Sequence, residues 1–284
     1  MDLTIFTGIA ISTSSTIALN VGKGIQKMKV DVLTQGLNMF SKENRNDFLI
    51  WLFGVIVTAS SIGLYSYAMK LTDKPSTVSS CTGLGLIALV VFAKYVLKEK
   101  VGPREIAGCT LIVLCTLSLT LNDSKIMTPQ SFQIYELIKY SGIIISIFIV
   151  LVPYSLITHT LHGMVFGSLA GVMIGIGLFL GDIALVEANG DFVGQLYTPY
   201  PYIAFIAAVS ALVFTQIGFL GGRAVVVVPC INACTILTPI LLEYLIYGIT
   251  LNTIQYFSIL GILGGVILLS STGMETRNPG IKKQ

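Results

Sequence analysis

Two carboxylates, Asp182 and Glu243, fall near the ends of long apolar stretches. An ionisable side chain inside a bilayer is costly, so each is a candidate for chemistry. Asn232, Thr235, Pro239 and Glu243 follow one another at i, i+3, i+7 and i+11, which places them on one face of a helix. Pro239 cannot donate a backbone hydrogen bond and so frees a carbonyl in mid-helix, as in the broken helices of transporters. Ser168, Gly171, Gly175 and Asp182 share a face in the same way. Oxygen ligands suit a hard cation such as magnesium, which keeps part of its water shell and needs only one or two carboxylates. Asp182 and Glu243 are therefore the candidate metal ligands. Alternatively, one of them exchanges protons to drive export of another solute. A third reading has both acids touching headgroups or water near the outer interface.

Other polar residues extend the set of substrate-binding candidates. Ser12, Thr16 and Asn20 form a stripe at helical spacing, suited to lining a pathway or bonding to a neighbouring helix. Gln216 is an amide in mid-membrane. Tyr67, with Tyr65, belongs to an aromatic wall or to the interfacial belt. Gly167, Gly171 and Gly175 make a small-residue ridge for close helix packing, as do Gly177 and Gly181, and Pro239 is a further packing position.

The elements that hold these residues follow from composition. The 284 residues are 54% hydrophobic and 11% charged, against roughly 25% charged in soluble domains. Uncharged runs recur along the whole chain, most of them near the ~20 residues that a helix needs to cross ~30 Å of hydrocarbon. Lipid offers the backbone no hydrogen-bond partners, so these runs are helices, and the period-two alternation of a membrane barrel is absent. Nine spans are expected, at 3–22, 48–69, 76–97, 105–122, 135–157, 163–186, 201–221, 225–247 and 253–272. The fold class is an all-α polytopic membrane protein. A polar tenth helix within 23–47 is the alternative count. The first run lacks both a preceding Lys or Arg and a following small-residue cleavage site, so it reads as a span rather than a signal peptide.

Charge sets the topology. With the N-terminus outside, only Lys70, Lys74, Lys125 and Lys139 of the 17 Lys and Arg residues face outward. The others fall inside, a positive-inside bias that also requires an odd number of spans. The C-terminal tail, 275–284, is then cytoplasmic and the location is the cell membrane. Residues 1–133 form a first membrane half and 134–274 a second. The basic residues are topology signals, so no nucleic-acid partner is expected. The expected partners are the lipid bilayer and a small-molecule or cation substrate, with a homodimer as a further option. The start of the span after Arg223 is a place for anionic headgroups, and Tyr197, Tyr200 and Tyr202 read as an interfacial belt.

Enzyme chemistry finds little support. His159 and His162 are spaced like partial metal ligands, but no third ligand accompanies them. An intramembrane aspartyl protease needs a pair of buried aspartates, and only Asp182 lies well within a span. No Gly-x-Ser-x-Gly elbow occurs. The five cysteines, Cys81, Cys109, Cys115, Cys230 and Cys234, all sit in expected spans and read as small packing residues. No cofactor is expected. A receptor or packing subunit remains the competing non-transport class.

The chain also repeats itself. Ile62-Gly63-Leu64 matches Ile217-Gly218-Phe219 at a shift of 155, and Gly108 matches Gly261 at 153. Pro75 and Pro229 open corresponding helices, and Cys81 aligns with Cys234. Helices 2–4 thus resemble helices 7–9, which run the opposite way under the charge-derived topology. Inverted repeats of this kind build many secondary transporters.

Tyr67-Ala68-Met69-Lys70-Leu71, a Ser/Thr-rich helix, Leu97-Lys98-Glu99-Lys100-Val101 and a Gly-bearing helix from Ile106 resemble the drug/metabolite transporter (EamA-like) superfamily. Thr215-Gln216-Ile217-Gly218-Phe219-Leu220, then Arg223-Ala224 and the run 225–229, resemble its nine-span NIPA-type magnesium transporter branch. The resemblance implies a transporter working by alternating access on a small solute, magnesium or another divalent cation, or else a proton-coupled exporter of an organic metabolite or drug. The chain departs from the magnesium branch in two places: the sixth span holds no Lys, and the branch's Asn-Lys-Ala-Leu-Asp segment is shortened to Gly222-Arg223-Ala224.

Overall fold

The computed structural model describes residues 3–72, 82–122, 134–158, 160–188, 191, 193–248 and 250–273. Among them are nine α-helices: α1 (Leu3–Met28), α2 (Arg45–Thr72), α3 (Thr82–Tyr95), α4 (Pro103–Leu121), α5 (Ile134–Thr158), α6 (His162–Glu187), α7 (Tyr200–Gly221), α8 (Ala224–Tyr247) and α9 (Thr253–Gly273). Six of them, α2 and α4 to α8, are long and apolar enough to cross a membrane. The chain is thus an all-helical, multi-pass membrane protein. Pro75, Cys81, His159 and the tail 275–284 lie outside the described residues.

The segment 30–40 is no tenth span. It is a short 3-10 turn bent at Gly36, whose φ of +57° suits a residue without a Cβ. It leaves Leu37 and Phe40 exposed.

Helix order in space is set by small residues. α1 packs antiparallel on α2, where Gly22 meets Thr58 and Gly54 meets Gln26. α1 runs parallel to α3, where Gly85 meets Thr16 and Gly24 meets Phe92. α6 packs antiparallel on α7 through Gly163–Gly222 and Gly167–Gly218, and parallel to α8 through Gly163–Val227, Gly171–Ile231 and Gly175–Thr238. α4 and α9 cross antiparallel, with Gly108 on Gly265 and Leu269, Ile112 on Gly265, and Cys115 on Gly261.

α6 and α8 are central. In each, more than half of the apolar stretch is buried inside the protein, against a third or less in the other four long helices. Their small residues allow this, because backbones approach where no side chain intervenes. α8 stays one continuous α-helix through Pro229 and Pro239, rather than breaking at Pro239. A Cβ at Gly175 would stand 3.2 Å from the Thr235 carbonyl oxygen that Pro239 leaves free. Gly181 faces open space and packs on nothing. Tyr200 departs from the belt reading: it is buried in the α6–α8 cluster, whereas Tyr197 and Tyr202 are exposed.

Candidate functional site

The site starts from the polar stripe of α1. Ser12, Thr16, Asn20 and Lys23 are all buried. Spacings of four, four and three keep them on one side of the helix. That side meets α8. Asn232 Nδ2 donates to Asn20 Oδ1 at 2.9 Å. Asn20 Nδ2 donates to the Thr16 carbonyl at 2.9 Å. Lys23 Nζ donates to Asn232 Oδ1 at 3.4 Å.

One turn further along α1, Gln26 ties in two more helices. Its Nε2 donates to Thr58 Oγ1 at 2.9 Å and to the Gly54 carbonyl at 3.3 Å, both on α2. Its Oε1 accepts from Gln216 Nε2 of α7 at 2.7 Å. Trp51 Nε1 of α2 donates to Gln216 Oε1 at 3.0 Å. Lys27 Nζ donates to the Phe219 carbonyl near the end of α7. α1, α2, α7 and α8 therefore meet around a layer of amides and ammonium groups. Buried polar atoms that lack partners cost more than bonded ones return, so such a layer favours helix arrangements in which its groups are paired.

A second cluster sits at the start of α8. The first N–H groups of a helix lack intrahelical acceptors and carry partial positive charge. Here the Glu99 carboxylate accepts from Ala224 N at 2.7 Å and Val225 N at 3.0 Å. Arg223 Nη2 pairs with Glu105 Oε1 at 2.9 Å, and Nη1 donates to the Lys100 carbonyl at 2.8 Å. Glu105 Oε2 also accepts from Gly102 N at 2.9 Å. The expectation of a headgroup site here is corrected, because the chain's own carboxylates already fill it.

The other candidates are dispersed. Asp182 is exposed on α6 and Glu243 is half-buried on α8. Among the described residues, no group of three or more His, Cys, Asp and Glu is placed to hold a metal ion. Thr235 Oγ1 donates to the Gly171 carbonyl at 3.4 Å, so it faces α6, as does Pro239. Tyr67 is exposed on α2. The His162 ring packs at a tilt against Phe166, with Nε2 3.1 Å from the Ile217 carbonyl and Nδ1 3.5 Å from Ser155 Oγ.

In the sequence, Lys23, Gln26 and Trp51 carry no site role, and Glu99 enters only within the Leu97-Lys98-Glu99-Lys100-Val101 resemblance. Lys23 counted only as an inside-positive charge, and Gln26 fell within a stretch read as a polar link. A signal was present, since Lys23 continues the Ser12–Thr16–Asn20 stripe by one further turn.

The probable magnesium transporter NIPA9 of Arabidopsis thaliana is 21% identical over 294 aligned residues, which cover 95% of this chain and 83% of that protein. No family model matches the chain. No solved structure matches it.

Proposed function

We propose that this protein is a membrane transporter in which two inverted halves move against each other to carry a small solute. One observation carries the reading. A shift of 153 residues takes Gly108 to Gly261 and Ile112 to Gly265, so the α4–α9 contact maps onto itself with its helices antiparallel. A two-fold axis lying in the membrane plane would produce such a contact, which supports the reading. The antiparallel α1–α2 and α6–α7 pairs and the parallel α1–α3 and α6–α8 pairs repeat the same scheme. The polar layer of Asn20, Lys23, Gln26, Gln216 and Asn232 joins α1 and α2 of one half to α7 and α8 of the other, where a solute site belongs. The whole-length similarity to a probable magnesium transporter supports the same class.

Alternating access is testable without knowing the solute. Asn232→Cys in a background with all native cysteines replaced by serine should react with a membrane-impermeant thiol reagent in both right-side-out and inside-out vesicles. Labelling from one side only, or from neither, would rule the reading out.

Magnesium is a second reading, favoured by the relative's name. Asp182 and Glu243 would then be the ligands, as one or two carboxylates suffice for a partly hydrated ion. Sealed vesicles containing the protein and an entrapped indicator should then show saturable magnesium uptake that Glu243→Gln removes. Uptake no greater than in empty vesicles, from folded protein, leaves the organic solute as the cargo.

A further inference from the structure

We infer that Lys23, Asn20 and Asn232 form an oxyanion site that receives the carboxylate or phosphate group of the transported solute. The inference rests on the transporter reading above and names the cargo class of the same polar layer.

Burial and charge come first. Lys23 is 6% exposed. Lys23 takes no part in the ion pairs Lys29–Asp47, Lys139–Glu136 and Arg223–Glu105. Its hydrogen bond among the described residues is the single 3.4 Å contact with Asn232 Oδ1. One neutral amide oxygen does not offset the loss of hydration around a buried ammonium. The side chain does not escape to the membrane surface either. It meets Asn232, eight residues into α8, or about 12 Å along that helix at 1.5 Å per residue. A lysine kept only for topology would snorkel to water.

Hydrogen-bond valence points the same way. Each amide oxygen in the cluster already accepts one bond: Asn20 from Asn232, and Asn232 from Lys23. The unused capacity lies largely in donors. Among the described residues, two of the three ammonium N–H bonds are uncommitted, as is one N–H of each amide. A cluster of net charge +1 with four spare donors complements an oxyanion and repels a divalent cation. α3 closes one side of the cluster, since a Cβ at Gly85 would strike the Thr16 carbonyl and the Asn20 amide.

Two sources offer this chemistry, a soluble solute and an anionic lipid headgroup, and the experiment separates them. Trp51 is the sole tryptophan. It is linked through Gln216 to Gln26, one turn of α1 beyond Lys23. The purified full chain in detergent is titrated with inorganic phosphate and with succinate at constant ionic strength. Tryptophan fluorescence and the thermal midpoint are followed together. At least one anion should produce a saturable fluorescence change and a higher midpoint. Lys23→Gln should weaken that response by roughly tenfold to a hundredfold, the loss of one charge-assisted bond. Its midpoint without anion should equal or exceed that of the parent, because a buried charge is gone. The exposed Lys94→Gln should respond like the parent. Flat titrations by both readouts, or a response unchanged in Lys23→Gln, overturn the site. A Lys23-dependent response obtained only in nanodiscs of phosphatidylglycerol, and not of phosphatidylcholine, assigns the oxyanion to lipid and overturns the solute assignment. Two-sided labelling at position 232 without an anion response defeats this inference alone. One-sided labelling defeats the transporter reading whatever the anions do.

Discussion

Gly171→Ala is expected to lower the thermal midpoint by several degrees, and Gly171→Leu to prevent the helices from assembling. A Cβ at this position runs into the Ile231 carbonyl oxygen and stands 2.7 Å from Cys234 Cβ. The first obstacle is backbone, so no rotamer change relieves it, and α6 and α8 must move apart. Overpacking of this kind costs about 1–3 kcal/mol. The separation spreads along the ridge, because Gly167 and Gly175 approach α8 nearly as closely: a Cβ would lie 2.7 Å from the Val227 carbonyl oxygen and 2.6 Å from Thr238 Cβ, respectively. Gly181 supplies the control on the same helix. Nothing lies within 4 Å of a Cβ there, so Gly181→Ala should stay within about 0.5 kcal/mol of the parent. Thermal unfolding of the purified variants in one detergent reads both. Equal midpoints for the two alanine variants would show that the ridge does not limit the approach of the helices.

Glu105→Ala is the second large effect. Its side chain is 7% exposed and that of Arg223 19%, with 2.9 Å between the paired atoms. Removing the carboxylate takes this counter-charge from a half-buried guanidinium, which destabilises by about 1–3 kcal/mol. Replacing both partners with apolar residues, Glu105→Leu with Arg223→Met, removes that penalty, so the double variant should recover most of the loss. Unfolding midpoints of the two singles and the double form a cycle. A double variant as damaged as the sum of the singles would show that the two side chains act independently. The pair also connects distant parts of the chain, because Arg223 sits between α7 and α8 while Glu105 lies in the first turn of α4, just after the link that holds Glu99.

Much of the helical frame was legible in the residues. The span expected at 135–157 is α5 (Ile134–Thr158), and that expected at 225–247 is α8 (Ala224–Tyr247). Agreement is close because the ends of apolar runs coincide with the ends of helices. α1 departs further. Its apolar run stops at Gly22, yet the helix continues to Met28. Lys23 and Gln26 are polar and still buried, because α2, α7 and α8 cover them rather than lipid or water. Hydropathy records what a residue prefers to touch and cannot register a protein interior that supplies polar partners.

The candidate site divides along the same line. Ser12, Thr16 and Asn20 formed a recognisable stripe, and Asn232 stood out as a polar residue in an apolar helix. That Asn20 and Asn232 bond to each other across 212 positions of sequence depends on α1 lying against α8. Likewise, Glu99 reads as part of a polar link until the fold sets it on the first amides of α8. By itself, the sequence determined that the chain is a set of apolar helices, because lipid leaves the backbone no other partner. It also marked Gly167, Gly171 and Gly175, along which α6 approaches α8. Only the tertiary structure decided which polar groups face one another, since helical periodicity specifies the face a residue occupies but not the helix that covers that face.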